Sequence, residues 1–238
     1  LCCTSCTGSS TADCVRHEAR LNNRLWLAAA ICLGVSLTPW GPLILYPFTL
    51  FTTWIHECGH AVAAVLLGGS VASITIQPDT SGLTRSLVPA SNISRGIIAS
   101  AGYLTASIVG CCLLAATRVE RRAKPILWGI GAFMLFTLIF WIRNLFGAAV
   151  VIGWAVALLA IARRRTAGGF ASFVLSVLGI QVALNAVFNI RVLFLVNGPS
   201  DAQTMARLFL APAWFWASLW MAVSIAMLVW TLRRTGGR

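Results

Sequence analysis

The residues best suited to chemistry form one short run, His56-Glu57-Cys58-Gly59-His60. On a helix, two histidines four apart sit on one face, so their imidazoles can share a single zinc ion. Glu57 points to the adjoining face, where it can act as general base on a water held at that ion. Zinc lowers the pKa of such a water to about 7, which makes hydroxide available at neutral pH. The surroundings sharpen the motif. Only three histidines and six acids occur in 238 residues, and HECGH lies well inside an apolar stretch. Ionisable groups at such a depth are costly and usually functional. The bland alternative is a pair of core histidines bonded to neighbouring backbone.

A catalytic zinc site takes three protein ligands and keeps one position open. Few residues can supply the third. Asp13, His17 and Glu18 lie in the N-terminal segment and Glu120 in a basic loop, which leaves Asp79 and Asp201. Asp79 occupies a turn, where Asp is common for local reasons. Asp201, in Asn197-Gly-Pro-Ser-Asp-Ala202, can equally be a helix N-cap. The chemistry favours Asp201 and leaves both open. Gln181, Asn185 and Asn189 add polar groups to a later apolar run. The two asparagines share a face and can hold a substrate backbone, stabilise an oxyanion or, more commonly, bond to neighbouring helices. Small residues around the motif (Gly59, Ala61, Ala63, Ala64) allow close approach of a helix or substrate.

The elements that must position these residues follow from composition. The chain is 58% hydrophobic and 10% charged, with a mean hydropathy of +0.84; soluble domains carry about 25% charged residues. Its apolar runs are continuous and approach the ~20 residues that cross a bilayer as helix, which argues against a strand barrel, whose strands alternate. The expected fold is an all-α polytopic membrane protein with about seven (six or seven) transmembrane helices. They fall near 25–44, 47–67, 96–117, 125–142, 145–162, 170–196 and 213–232. One membrane domain covers 25–232, between a polar Cys-containing tail at 1–24 and a basic tail at 233–238. Spans four and five are separated only by Arg143-Asn144.

One stretch differs. Ser70 to Pro89 alternates Val71, Ser73 and Thr75 with Ala72, Ile74 and Ile76, and Pro78-Asp-Thr-Ser-Gly82 supplies turn chemistry. This reads as a short β-hairpin after the motif helix. Its edge can pair with an extended polypeptide; an ordinary interfacial loop is the alternative. With seven spans, the hairpin and the 197–202 segment fall on the same side of the membrane.

The net charge of +12 resides in clusters between apolar runs: Arg118, Arg121, Arg122 and Lys124; Arg163 to Arg165; Arg233, Arg234 and Arg238. Loops facing anionic headgroups look like this. No aromatic-basic motif accompanies them, so no nucleic-acid partner is expected. Placing all three clusters in the cytoplasm leaves Arg16, Arg20 and Arg24 outside, against the same rule. Cys32, Cys58, Cys111 and Cys112 lie in apolar runs, where Cys behaves as a small hydrophobe. Cys2, Cys3, Cys6 and Cys14 cluster near the N-terminus without zinc-ribbon spacing. Abundant Arg and Ala beside almost no Lys point to a bacterial cytoplasmic membrane.

HECGH in a membrane helix, followed by Gly68-Gly69, a QPDTSG hairpin and a late Ser200-Asp-Ala202, resembles the small membrane metallopeptidases related to site-2 proteases. The resemblance covers about 45–210. It implies a zinc-dependent intramembrane endopeptidase that cuts membrane-embedded or membrane-anchored proteins. It further implies His56, His60 and Asp201 as the zinc ligands and Glu57 as the base. Two departures stand out: no NxxPxxxxDG-like segment carries the aspartate, and no PDZ-like domain is present, so substrate selection must come from the spans or the hairpin. Other classes fit less well. A structural or regulatory zinc protein has no use for Glu57, and a transporter would call for an internal repeat. A membrane zinc hydrolase with a non-peptide substrate stays open.

Overall fold

The computed structural model describes residues 26–88, 90–164, 168–192 and 200–236. The chain begins with α1 (Trp26–Ser36), which ends shortly before Pro39, because a residue preceding proline is pushed out of the α region. The following α2 (Gly41–Leu66) carries Pro42 in its first turn, where proline's missing N–H costs nothing. It then passes through Pro47 without ending. After β1 (Ser70–Ile76) and β2 (Gly82–Leu87) come α3 (Asn92–Ala116), α4 (Glu120–Phe140), α5 (Leu145–Arg163), α6 (Gly168–Val192), α7 (Asp201–Leu208) and α8 (Ala213–Gly236).

The expectation of about seven (six or seven) crossings comes down to five, or six if the bent pair α1–α2 is one span. Helices α3, α4, α5, α6 and α8 are each long and apolar enough to cross; α1 and α2 qualify only together, and they bend by 119° at their junction. The physical reason lies in α1: from Trp26 to Ser36 it is about 16 Å long, half of a ~30 Å hydrocarbon core. The break between the first two spans falls at 37–40, not near Tyr46, and the polar residues of HECGH dilute the apolar run of α2. The N-terminal tail, with Cys2, Cys3, Cys6, Cys14 and the basic residues up to Arg24, lies outside the described residues. At the other end α8 continues to Gly236, so Arg233 and Arg234 form its last turn.

The hairpin expectation holds, at Ser70–Leu87, with antiparallel pairing Ile76↔Gly82 and Ile74↔Thr84. Ile74 and Ile76 are fully buried and join a core formed by Phe51, Leu127, Met134, Leu158 and Leu175. A helical core thus swallows one face of a strand. The break between α4 and α5 supplies a third element of sheet. Ile74 N donates to Trp141 O at 2.7 Å and Arg143 N donates to Ile74 O at 3.1 Å. Asn144 donates from Nδ2 to Ile76 O at 2.7 Å and accepts from Ile76 N at 3.2 Å. The Arg143 guanidinium donates to the carbonyls of Phe140 and Ile142, which satisfies the exposed end of α4.

Only the edge of β1 is covered in this way. Antiparallel pairs alternate between residues that bond to each other and residues that face outward. Ile74 and Ile76 face outward to 141–144, so their partners Thr84 and Gly82 face outward on the other side. Among the described residues, nothing bonds to the backbone groups of Gly82 and Thr84. Four helices long and apolar enough to cross (α3 to α6) lie between the hairpin and α7, an even number that would return the chain to the same side. There α7 packs Ala202 and Met205 against Ala99 and Tyr103 of α3 and Trp220 of α8.

Candidate metal centre

One stripe of α2 organises the centre. Tyr46, Thr53, Glu57 and His60 are seven, four and three residues apart in turn, and so share a helix face. The hairpin lies along that stripe. The Tyr46 hydroxyl donates to Pro78 O at 2.5 Å, and Thr53 Oγ1 donates to Thr80 O at 2.8 Å. Thr84 Oγ1 donates to Glu57 Oε2 at 2.6 Å and approaches Glu57 O at 3.0 Å. Gly82 packs on the other carboxylate oxygen: a Cβ there would lie 2.5 Å from Glu57 Oε1.

His56, Glu57 and His60 present ligand atoms within 4.8 Å of one another. His60 Nδ1 donates to Ile98 O at 2.6 Å. That bond puts the proton on Nδ1 and leaves Nε2 as a lone-pair donor, the usual arrangement of a metal-binding histidine. His60 Nε2 stands 3.0 Å from His56 Nε2. Asp201 Oδ2, delivered from the first residue of α7, stands 3.2 Å from His56 Nε2 and 3.3 Å from His60 Nε2. The structure thus brings Asp201 to both histidines, although 145 residues of chain separate it from His56.

The triangle can be tested against a zinc ion. Tetrahedral ligands at 2.0–2.1 Å from the metal are about 3.3–3.4 Å apart. The observed sides of 3.0, 3.2 and 3.3 Å are close to that spacing, and two imidazole nitrogens and a carboxylate oxygen are zinc's ordinary donors. Space is reserved as well. A Cβ on Gly102 of α3 would sit 2.5 Å from both His56 Cε1 and His60 Nε2, so only glycine lets α3 pass here. These residues fit the metal.

Asp79, the other candidate, makes local bonds at the rim of the same hairpin. It is exposed in the hairpin turn, and its Oδ1 accepts from Ser81 N at 3.0 Å and from Ser81 Oγ at 2.6 Å. The Ser81 hydroxyl, and then its amide, hold the Asp79 carboxyl below its ordinary range. Asn185 donates to Thr52 Oγ1 at 3.4 Å and is a helix-helix contact. Gln181 is buried in α6, and the Asn189 side chain lies outside the described residues. Thr84, Gly102 and the Ile98 carbonyl carry no sequence signal of their own; only the fold brings them to the centre.

A cleft of about 860 Å³ opens over the triangle, bordered by β2, by Arg95 and Tyr103 of α3, and by Ser200 and Thr204. Tyr103 meets His56 edge-on at 4.5 Å and stacks on Trp220 at 5.2 Å, which restrains the imidazole. A helical membrane protein that gathers a His-Glu-His group on one helix and an aspartate from a late one beneath an open cleft has the build of a membrane metallopeptidase. The chain belongs to the Peptidase M50B-like family, whose model matches residues 26–231. Neither the curated proteins nor the solved structures include a match to it.

Proposed function

We propose that the protein is a zinc-dependent intramembrane endopeptidase that cleaves membrane-embedded or membrane-anchored proteins, in a bacterial cytoplasmic membrane. Membership of the Peptidase M50B-like family supports this. The observation that carries it is the convergence of His56, His60 and Asp201 within 3.3 Å, beside Glu57, under a cleft with an open strand edge. His56, His60 and Asp201 would hold the ion, with His60 oriented through the Ile98 carbonyl. Zinc bound there supplies a Lewis acid and lowers the pKa of water at the site to about 7.

Glu57 takes the proton of the attacking water and passes it to the leaving amine. A peptide bond within a helix is shielded by its own hydrogen bonding, so the substrate must be extended to react. The outward backbone groups of Gly82 and Thr84 are suited to receive an extended segment by strand addition. The side chains of the substrate then project into the cleft and toward α2.

The test is cleavage of a membrane-anchored reporter by wild type and by Glu57→Gln in proteoliposomes. Loss of a positioned general base is expected to cost about 10²–10⁴-fold in rate, with zinc content unchanged. A Glu57→Gln protein that cuts as fast as wild type ends this proposal.

A further inference from the structure

We infer that Thr84 is a positioning residue that couples capture of an extended substrate to alignment of Glu57; this rests on the endopeptidase function proposed above. Thr84 meets both partners at once. Its side chain donates to Glu57 Oε2 at 2.6 Å, the shortest contact that either carboxylate oxygen makes to a hydrogen-bond donor among the described residues. Its backbone faces the open edge of the sheet, in register with Ile74, where a guest strand would pair. Gly82, its neighbour on the same edge, closes the other side of the carboxylate. Among the described residues the hydrogen-bond donor to the Glu57 carboxylate thus comes from β2, although Glu57 is itself a helical residue.

A two-stranded ribbon is only marginally ordered by itself. Here β1 is tied to 141–144 and to the core, whereas the outer edge of β2 has no backbone partner among the described residues. A guest strand that pairs with Thr84 fixes the backbone at that residue, and with it the hydroxyl that holds the base. Alignment of Glu57 is then completed by the substrate. A protein without a paired guest keeps its base less firmly set, which protects peptide bonds that enter the cleft in helical form.

The experiment compares kcat, KM and zinc content for wild type, Thr84→Val and Thr84→Ser, on a reporter for which Glu57→Gln abolishes cleavage. Thr84→Val keeps the shape and removes the donor. It is expected to lower kcat by about 10–100-fold, the scale of a misplaced catalytic group, with KM within about twofold and zinc unchanged. Thr84→Ser, which keeps the hydroxyl, is expected to restore most of kcat. Amide exchange at Gly82–Ser86 should slow equally in wild type and Thr84→Val when a reduced-bond analogue of the reporter is added, since the edge itself is intact. A Thr84→Val protein with wild-type kcat overturns the coupling, as does equal damage from Val and Ser or loss of zinc in Thr84→Val. If instead Glu57→Gln remains active on every reporter, the endopeptidase function falls and the coupling falls with it.

Discussion

Asn144 completes β1 by offering Ile76 both halves of an amide, a donor at 2.7 Å to its carbonyl and an acceptor at 3.2 Å from its N–H. A side chain at the break between two membrane helices thus stands in for a strand residue. Since β1 holds β2 and β2 holds Glu57, a residue between α4 and α5 reaches the candidate metal centre through two strands. Replacing Asn144 by Ala leaves two backbone groups of Ile76 without these partners, at about 1–3 kcal/mol for each buried group left unsatisfied. Asn144→Ala is expected to speed amide exchange at Ile74 and Ile76 and to lower the thermal midpoint in detergent. Unchanged exchange would show that the hairpin stands without this prop.

Gly102→Ala puts a methyl group 2.5 Å from His60 Nε2, so one of the two imidazoles or α3 must move. The zinc-to-protein ratio, read by elemental mass spectrometry, should fall well below that of wild type. Gly129→Ala, where a Cβ meets nothing within 4 Å, serves as the control and should keep its zinc.

Asp201→Ala and Asp79→Ala separate the two candidate third ligands. Removing Asp201 should weaken zinc by more than the roughly 10–100-fold that even outer partners cost, whereas Asp79→Ala should retain zinc and lose only the turn bonds to Ser81. A chelator should abolish cleavage by wild type and added zinc should restore it. Normal zinc retention by Asp201→Ala would remove Asp201 from the ligand set.

Side-specific thiol labelling can check the topology. Cysteines introduced at Ser81 and Arg121 should react on opposite faces of the membrane, because one crossing, α3, separates them. With α3, α4, α5, α6 and α8 each crossing once, Arg118, Arg121, Arg122, Lys124, Arg163, Arg164, Arg233 and Arg234 would all fall on the Arg121 face. The positive-inside rule assigns that face to the cytoplasm, and labelling of both positions from one side would overturn the arrangement of crossings.

What was legible in the sequence was local. The pair His56 and His60 follows from helical spacing alone, and the hairpin from the alternation that ends in Ile74 and Ile76. Asp201 was reachable because few acids occur and one lies in a short recognisable segment. The count of crossings was misread where Leu37-Thr38-Pro39 cuts a long apolar run: hydropathy sees Leu25–Ile44 as one stretch, while helix geometry stops at Ser36. Gly102, Thr84 and Asn144 were invisible for a different reason. Each owes its role to a partner far along the chain, His60, Glu57 and Ile76 respectively, and nothing in its own neighbourhood distinguishes it. Gly102 is one of 20 glycines, Thr84 reads as an ordinary strand residue, and Asn144 reads as a spacer.

A bare hairpin has two margins, and either can recruit a foreign chain, including a second copy of itself. With Trp141–Asn144 laid against β1, a single margin is left among the described residues, and beyond it lies the cleft, with α3 and α7 forming its far wall. Among the described residues the sheet is therefore one-sided: it has room for a single further strand and no second free edge on which a copy of itself could stack.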